Sequence, residues 1–165
     1  MINLLLVAPA SDLPEVRSEV QNLVNLDRVR VRVVQRPCTS MAVLDAIDRY
    51  GRFDAVHFAT HGGEDGVALD DGLWPGASLV QMVELAGSQV IYLSTCSSVA
   101  LAKQITQATT ADCIATLAEQ GDRRAAELAT SFWRTVASVV DHPVTAYLRT
   151  ARHDSNSIYV RSLLR

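Results

Sequence analysis

Two side chains capable of nucleophilic and proton-transfer chemistry stand just past abrupt stops in apolar runs. His61 follows the run in "VHFATHGG", Val56 to Gly63, and Cys96 follows the run in "IYLSTCSS", Ile91 to Ser98. In an open parallel sheet, ligands and reactive groups gather outside the carboxyl ends of the strands. If the two runs are neighbouring strands, His61 and Cys96 therefore share one edge of the molecule. A thiol is a good nucleophile when it is partly ionised, and a nearby imidazole and the N-terminus of a following helix both favour the thiolate. A helix is expected to start at about "SVALAKQI". Gly62 and Gly63 let the backbone approach a bound carbonyl closely, and their N–H groups, with that of Cys96, can stabilise an oxyanion. The chemistry of that set is acyl transfer by a Cys–His dyad. The plainer reading is a small buried hydrophobe and a surface histidine, each the commoner fate of its residue type.

The elements that must position these groups are readable from periodicity. "INLLLVA" is a continuous apolar run suited to a strand buried on both faces, and "SDLPEVRSEVQNLV" has helical spacing through Leu13, Val16, Val20 and Leu23 or Val24. "RVRVRVV", Arg28 to Val34, alternates charge and valine and reads as an edge or half-exposed strand. "TSMAVLDAIDRY" reads as a helix capped by Thr39 or Ser40 and ended by Gly51. "FDAVHFAT", "QVIYLST" and "ADCIATLA" are further strands. Turn signals at Gly62-Gly63, Asp71-Gly72 and Pro75-Gly76 predict a small hairpin, then a helix from Ser78 to Leu85. "DRRAAELATSFWRTVASVVD" is the strongest helix, with Asp122 as N-cap and an apolar face that includes Val139. "DHPVTAYLRTARH" is another, capped by Asp141 or His142, and "SNSIYVRSLLR" is a last short strand or a frayed tail. Strands alternating with helices indicate a mostly parallel α/β sheet.

The totals narrow the function. The 165 residues suit a single domain, 1–165, and 48% hydrophobic with 20% charged residues is an ordinary globular balance. A formal net charge of -3 gives no electrostatic footprint for nucleic acid or for anionic membranes, so neither is expected as a partner. The first apolar run is too short to span a bilayer and has no basic region before it, so a cytoplasmic location is expected. Three scattered cysteines, Cys38, Cys96 and Cys113, argue against a disulfide framework and against zinc spacing. His57 and His61 do not converge on one ion if they lie on a strand, so no metal or other cofactor is expected, and His57 reads as a core or sheet-face residue. GxxxxGK[ST] and GxGxxG are both absent, and Ala102 stands where a cysteine phosphatase needs arginine.

Taken in order, "DAVHFATHGG", "ALDDGLWPGASLVQM", "QVIYLSTCSS" and "ATLAEQGDRRAAELATSFWRTV…PVTAYLRTAR" resemble the CHAT family of caspase-like cysteine peptidases, relatives of caspases, metacaspases and separases. The resemblance implies a caspase-like three-layer α/β/α sandwich with a mostly parallel sheet of about five or six strands. It implies His61 as the catalytic histidine, Cys96 as the nucleophile and Gly62 as an oxyanion donor. The implied partner is a protein or peptide substrate, with an activating protein partner and a role in bacterial conflict or defence as further expectations, since caspase-like proteins are often latent. Two departures leave the preferred target open. Ala118 stands where the family often has Trp in a loop lining the cleft, and Ser94, two positions before the nucleophile, replaces the acidic residue of metacaspases. Ser94, Thr95 and Ala118 are expected to border the substrate pocket, with Glu64, Asp65, Asp112 or Glu119 supplying acidic groups. The alternative is a non-enzymatic adaptor on the same scaffold.

Overall fold

The computed structural model describes residues 1–9, 14–119, 121–138, 143–151, 154 and 156–164. In chain order the elements are β1 Ile2–Val7, α1 Pro14–Val24, β2 Val29–Val34, α2 Ser40–Tyr50, β3 Ala55–Ala59, β4 Gly66–Leu69 and β5 Gly72–Pro75. They continue with α3 Gly76–Ala86, β6 Val90–Ser94, α4 Val99–Ala108, β7 Asp112–Thr116, α5 Asp122–Ser138, α6 Pro143–Ala151 and β8 Ser157–Val160. Six strands form one sheet in the order β2-β1-β3-β6-β7-β8, all parallel except β8, while β4 and β5 form a separate hairpin. The arrangement is a caspase-like α/β/α sandwich. The valine and arginine alternation of β2 lies at the sheet edge, as its period predicts.

Alternation along the strands assigns the two cores. Leu5, Val7, Val56, Phe58, Ile91 and Leu93 pack with α2, α3, α4 and the hairpin, whereas Leu4, Leu6, Ala55, Ala59 and Tyr92 pack with α1, α5 and α6. Because both faces are covered, β3, β6 and β7 are buried throughout, which explains their unbroken apolar runs. α3 is longer than its turn signals suggest, running from Gly76 to Ala86 and closing on Gly87 in the left-handed conformation at φ 63°. α5 includes Asp122 as its first residue instead of starting after it. Leu13 and Val139, and the cap expected at Asp141 or His142, lie outside the described residues.

β3 is held from both sides. On the α1/α5 side, His57 is fully buried, and its Nδ1 accepts the indole N–H of Trp133 at 2.7 Å. Indole only donates, so the imidazole proton sits on Nε2, which faces Glu19 Oε1 at 2.8 Å without the alignment of a full hydrogen bond. The same imidazole stacks on Tyr92 of β6 with centroids 4.8 Å apart. On the other side, Phe58 meets the edge of Trp74 from the hairpin. Trp133→Phe is expected to cost about 1–3 kcal/mol in urea unfolding, because His57 Nδ1 loses its buried donor. A loss below about 0.5 kcal/mol would show that the indole bond contributes nothing.

Candidate active site

Parallel pairing of β3 with β6 runs from Ala55↔Val90 to Ala59↔Ser94. His61 and Cys96 are each two residues past that last pair, so they leave the same edge of the sheet from neighbouring strands. Each exit has its own scaffold. After β3, the Thr60 hydroxyl donates to the Ala68 carbonyl at 2.6 Å, and the Ala68 N–H donates to the His61 carbonyl at 2.8 Å. The Gly63 N–H bonds the Gly66 carbonyl at 3.0 Å, and Gly62 bridges Val67. With these two bonds flanking it, Gly62 is the non-hydrogen-bonded member of an antiparallel pair, and its own N–H and C=O turn away from the hairpin. Gly66 is tightly enclosed too, since a Cβ there would lie 2.2 Å from the Trp74 carbonyl oxygen.

After β6 the chain turns sharply through Ser97, at φ 46°, before α4 begins at Val99. The Ser97 N–H bonds the Ala118 carbonyl at 3.3 Å, and the Ser98 N–H bonds the Thr116 carbonyl at 3.0 Å. Ser98 does not cap α4 with its side chain. Its hydroxyl accepts the Thr116 N–H at 3.1 Å and donates to the Thr95 carbonyl at 3.2 Å, and Thr116 Oγ1 also donates to that carbonyl. The loop that carries Cys96 is thus tied to β7, and Cys96 itself is half-buried just ahead of the α4 N-terminus. The two exits touch: a Cβ on Gly62 would meet Thr95 Cβ at 3.0 Å.

The other expected site residues divide. Ser94 and Thr95 are buried at the β6 exit, Glu64 and Asp65 are exposed on the glycine loop, and Ala118 and Glu119 are exposed on the loop after β7. Asp112 is a correction. It opens β7, pairs with Val90 at the opposite end of the sheet, and is fully buried. Its carboxylate accepts from the Tyr159 hydroxyl at 2.7 Å and the Ser162 N–H at 2.8 Å, so it anchors β8 and the segment after it. Sequence reasoning missed Asn156, which fixes the β7 exit: its Oδ1 accepts the Ala118 N–H at 2.8 Å and its Nδ2 donates to the Glu119 carbonyl at 3.2 Å. It missed Asp70 and Asp71 as well. Asp70 accepts the Cys38 N–H at 2.7 Å, and Asp71 accepts both the N–H and the hydroxyl of Ser40 at the start of α2. The Ser40 hydroxyl holds the Asp71 carboxyl below its ordinary value.

Residues 4–157 match the CHAT domain. The chain belongs to the CHAT domain family. CHAT domains are caspase-like and protease-related, so this CHAT chain is a relative of caspase-like proteases. No curated protein matches it. Among the described residues, no helix of this CHAT domain is long and apolar enough to cross a membrane, and no three His, Cys, Asp or Glu side chains group as metal ligands.

The three thiols sit in different surroundings. Burial, and then Asp70, push Cys38 up to about 12, and burial, then Asp112, push Cys113 well above the ordinary thiol value. Both remain protonated and covered at about pH 8, where iodoacetamide is expected to label Cys96 in the folded chain and all three cysteines in denaturant. Peptide mapping by mass spectrometry reads the difference. Gly62→Ala is expected to destabilise the chain by about 1–3 kcal/mol, because its Cβ would also lie 3.0 Å from the Gly66 carbonyl oxygen. Gly63→Ala, with open space around the added methyl, is expected to stay within about 0.5 kcal/mol of wild type in the same denaturation experiment.

Proposed function

We propose that this CHAT domain is a cysteine endopeptidase that hydrolyses protein or peptide substrates. The observation that carries the reading is the in-register β3/β6 pair, from whose adjacent ends His61 and Cys96 emerge. The exposed His61, the half-buried Cys96 and the outward Gly62 N–H support it further. The Cys96 thiolate attacks the scissile carbonyl carbon, and the resulting oxyanion is held by the N–H groups of Gly62 and Cys96. Collapse of the tetrahedral intermediate breaks the C–N bond, and the departing amine takes a proton supplied through His61. A water molecule then attacks the thioester, giving up a proton to His61 as the thiolate leaves, and the acid product is released. Activity is proposed to depend on a protein partner, in a conflict, defence or signalling setting.

The test is a peptide-library cleavage screen, run beside labelling with an electrophilic peptide. Wild type is expected to be labelled once and Cys96→Ala not at all. His61→Ala is expected to lower turnover by about 10²–10⁴ while circular dichroism stays unchanged. Labelling that persisted in Cys96→Ala, or moved to Cys38 or Cys113, would contradict the assignment. Capture of a stable, uncleaved protein partner by wild type and Cys96→Ala alike, with no peptide cut, would favour the adaptor reading instead.

A further inference from the structure

The side chain just before the nucleophile carries a polar atom that the fold leaves unused. Thr95 is 4% exposed, and its Oγ1 is buried with no hydrogen-bond partner. Its main chain is fixed, because the carbonyl accepts from both Ser98 and Thr116. A buried hydroxyl without a partner loses stability relative to valine, which has the same shape and no polar atom. Natural sequences break such a local rule mainly at functional sites.

The neighbour of that hydroxyl is the candidate oxyanion donor. A Cβ on Gly62 would lie 3.2 Å from Thr95 Oγ1, so the hydroxyl rests against the face of the glycine where a side chain would stand. The His61 carbonyl and the Gly63 N–H are both bonded to the hairpin, so the Gly62 N–H and C=O turn the other way. A hydroxyl can donate to one of these groups or accept from the other.

We propose that Thr95 is a positioning residue for Gly62: in the reacting state its hydroxyl donates to the Gly62 carbonyl, which leaves the Gly62 N–H free and holds it on the oxyanion. In the resting chain that bond is unmade and the hydroxyl waits against the glycine. The proposal rests on the peptidase reading above.

The experiment uses the full chain as wild type, Thr95→Val and Thr95→Ser, with a fluorogenic peptide library as substrate. Thr95→Val is expected to lower kcat roughly tenfold, less than the loss of an oxyanion donor itself, with KM unchanged. Its thermal midpoint is expected at or above wild type, and its rate of Cys96 alkylation by iodoacetamide, which forms no oxyanion, is expected to match wild type. Thr95→Ser, which keeps the hydroxyl, is expected to recover most of kcat. An unchanged kcat in Thr95→Val overturns the proposal, and so does a fall in midpoint and alkylation alongside kcat, which would make the hydroxyl part of the fold. A wild type that neither turns over nor takes an electrophilic peptide overturns the peptidase reading itself, and with it the role given to Thr95.

Discussion

The parallel register of β3 and β6 is the constraint on which the rest depends. A slip of one residue would turn every side chain of a strand to the other face, moving Phe58 out of one core and His57 out of the other. Both faces are covered, so no such slip is affordable in free energy. The sharing of one edge by His61 and Cys96 is a by-product of burial: the apolar residues choose the register, and the two reactive side chains follow from it.

Rigidity comes from different partners on the two sides of the site. The β3 exit is held by main-chain bonds to the hairpin, which is anchored in turn through Asp70 and Asp71 to the segment opening α2. The β6 exit is held by main-chain bonds from Ser97 and Ser98 to Ala118 and Thr116, reinforced by the Ser98 and Thr116 hydroxyls, which both turn onto the Thr95 carbonyl. Close packing explains the first glycine in "HGG", since Gly62 has no room for a side chain between Gly66 and Thr95. Hydroxyl bonds explain the last serine of "STCSS", Ser98, in a stretch whose composition by itself fits a phosphate loop equally well.

Much of this was legible in the sequence because burial on two faces writes continuous apolar runs, and the half-exposed edge writes alternation. Strand positions, the hairpin, the helix after Asp122 and the core role of His57 follow from those patterns. Asp112 lies away from the expected pocket, because its position at the start of "DCIAT" puts it at the amino end of a parallel strand. Asn156 carried no local signal at all. Its contacts with Ala118 and Glu119 reach across the chain that carries α5 and α6, and such long-range pairing is set by the fold. Asp71 reads only as part of a turn with Gly72, yet the carboxylates of Asp70 and Asp71 close a loop and a helix terminus.

The central claim is that the edge shared by the β3 and β6 exits is a site where a peptide carbonyl becomes bonded to Cys96. Acid-quenched intact-mass spectrometry during turnover of a peptide ester reads that bond directly. The account predicts one acyl adduct per chain, mapped to Cys96, which forms before free acid product accumulates and is absent from Cys96→Ala. Product formation with no adduct on Cys96, or the same adduct on the variant, would contradict it.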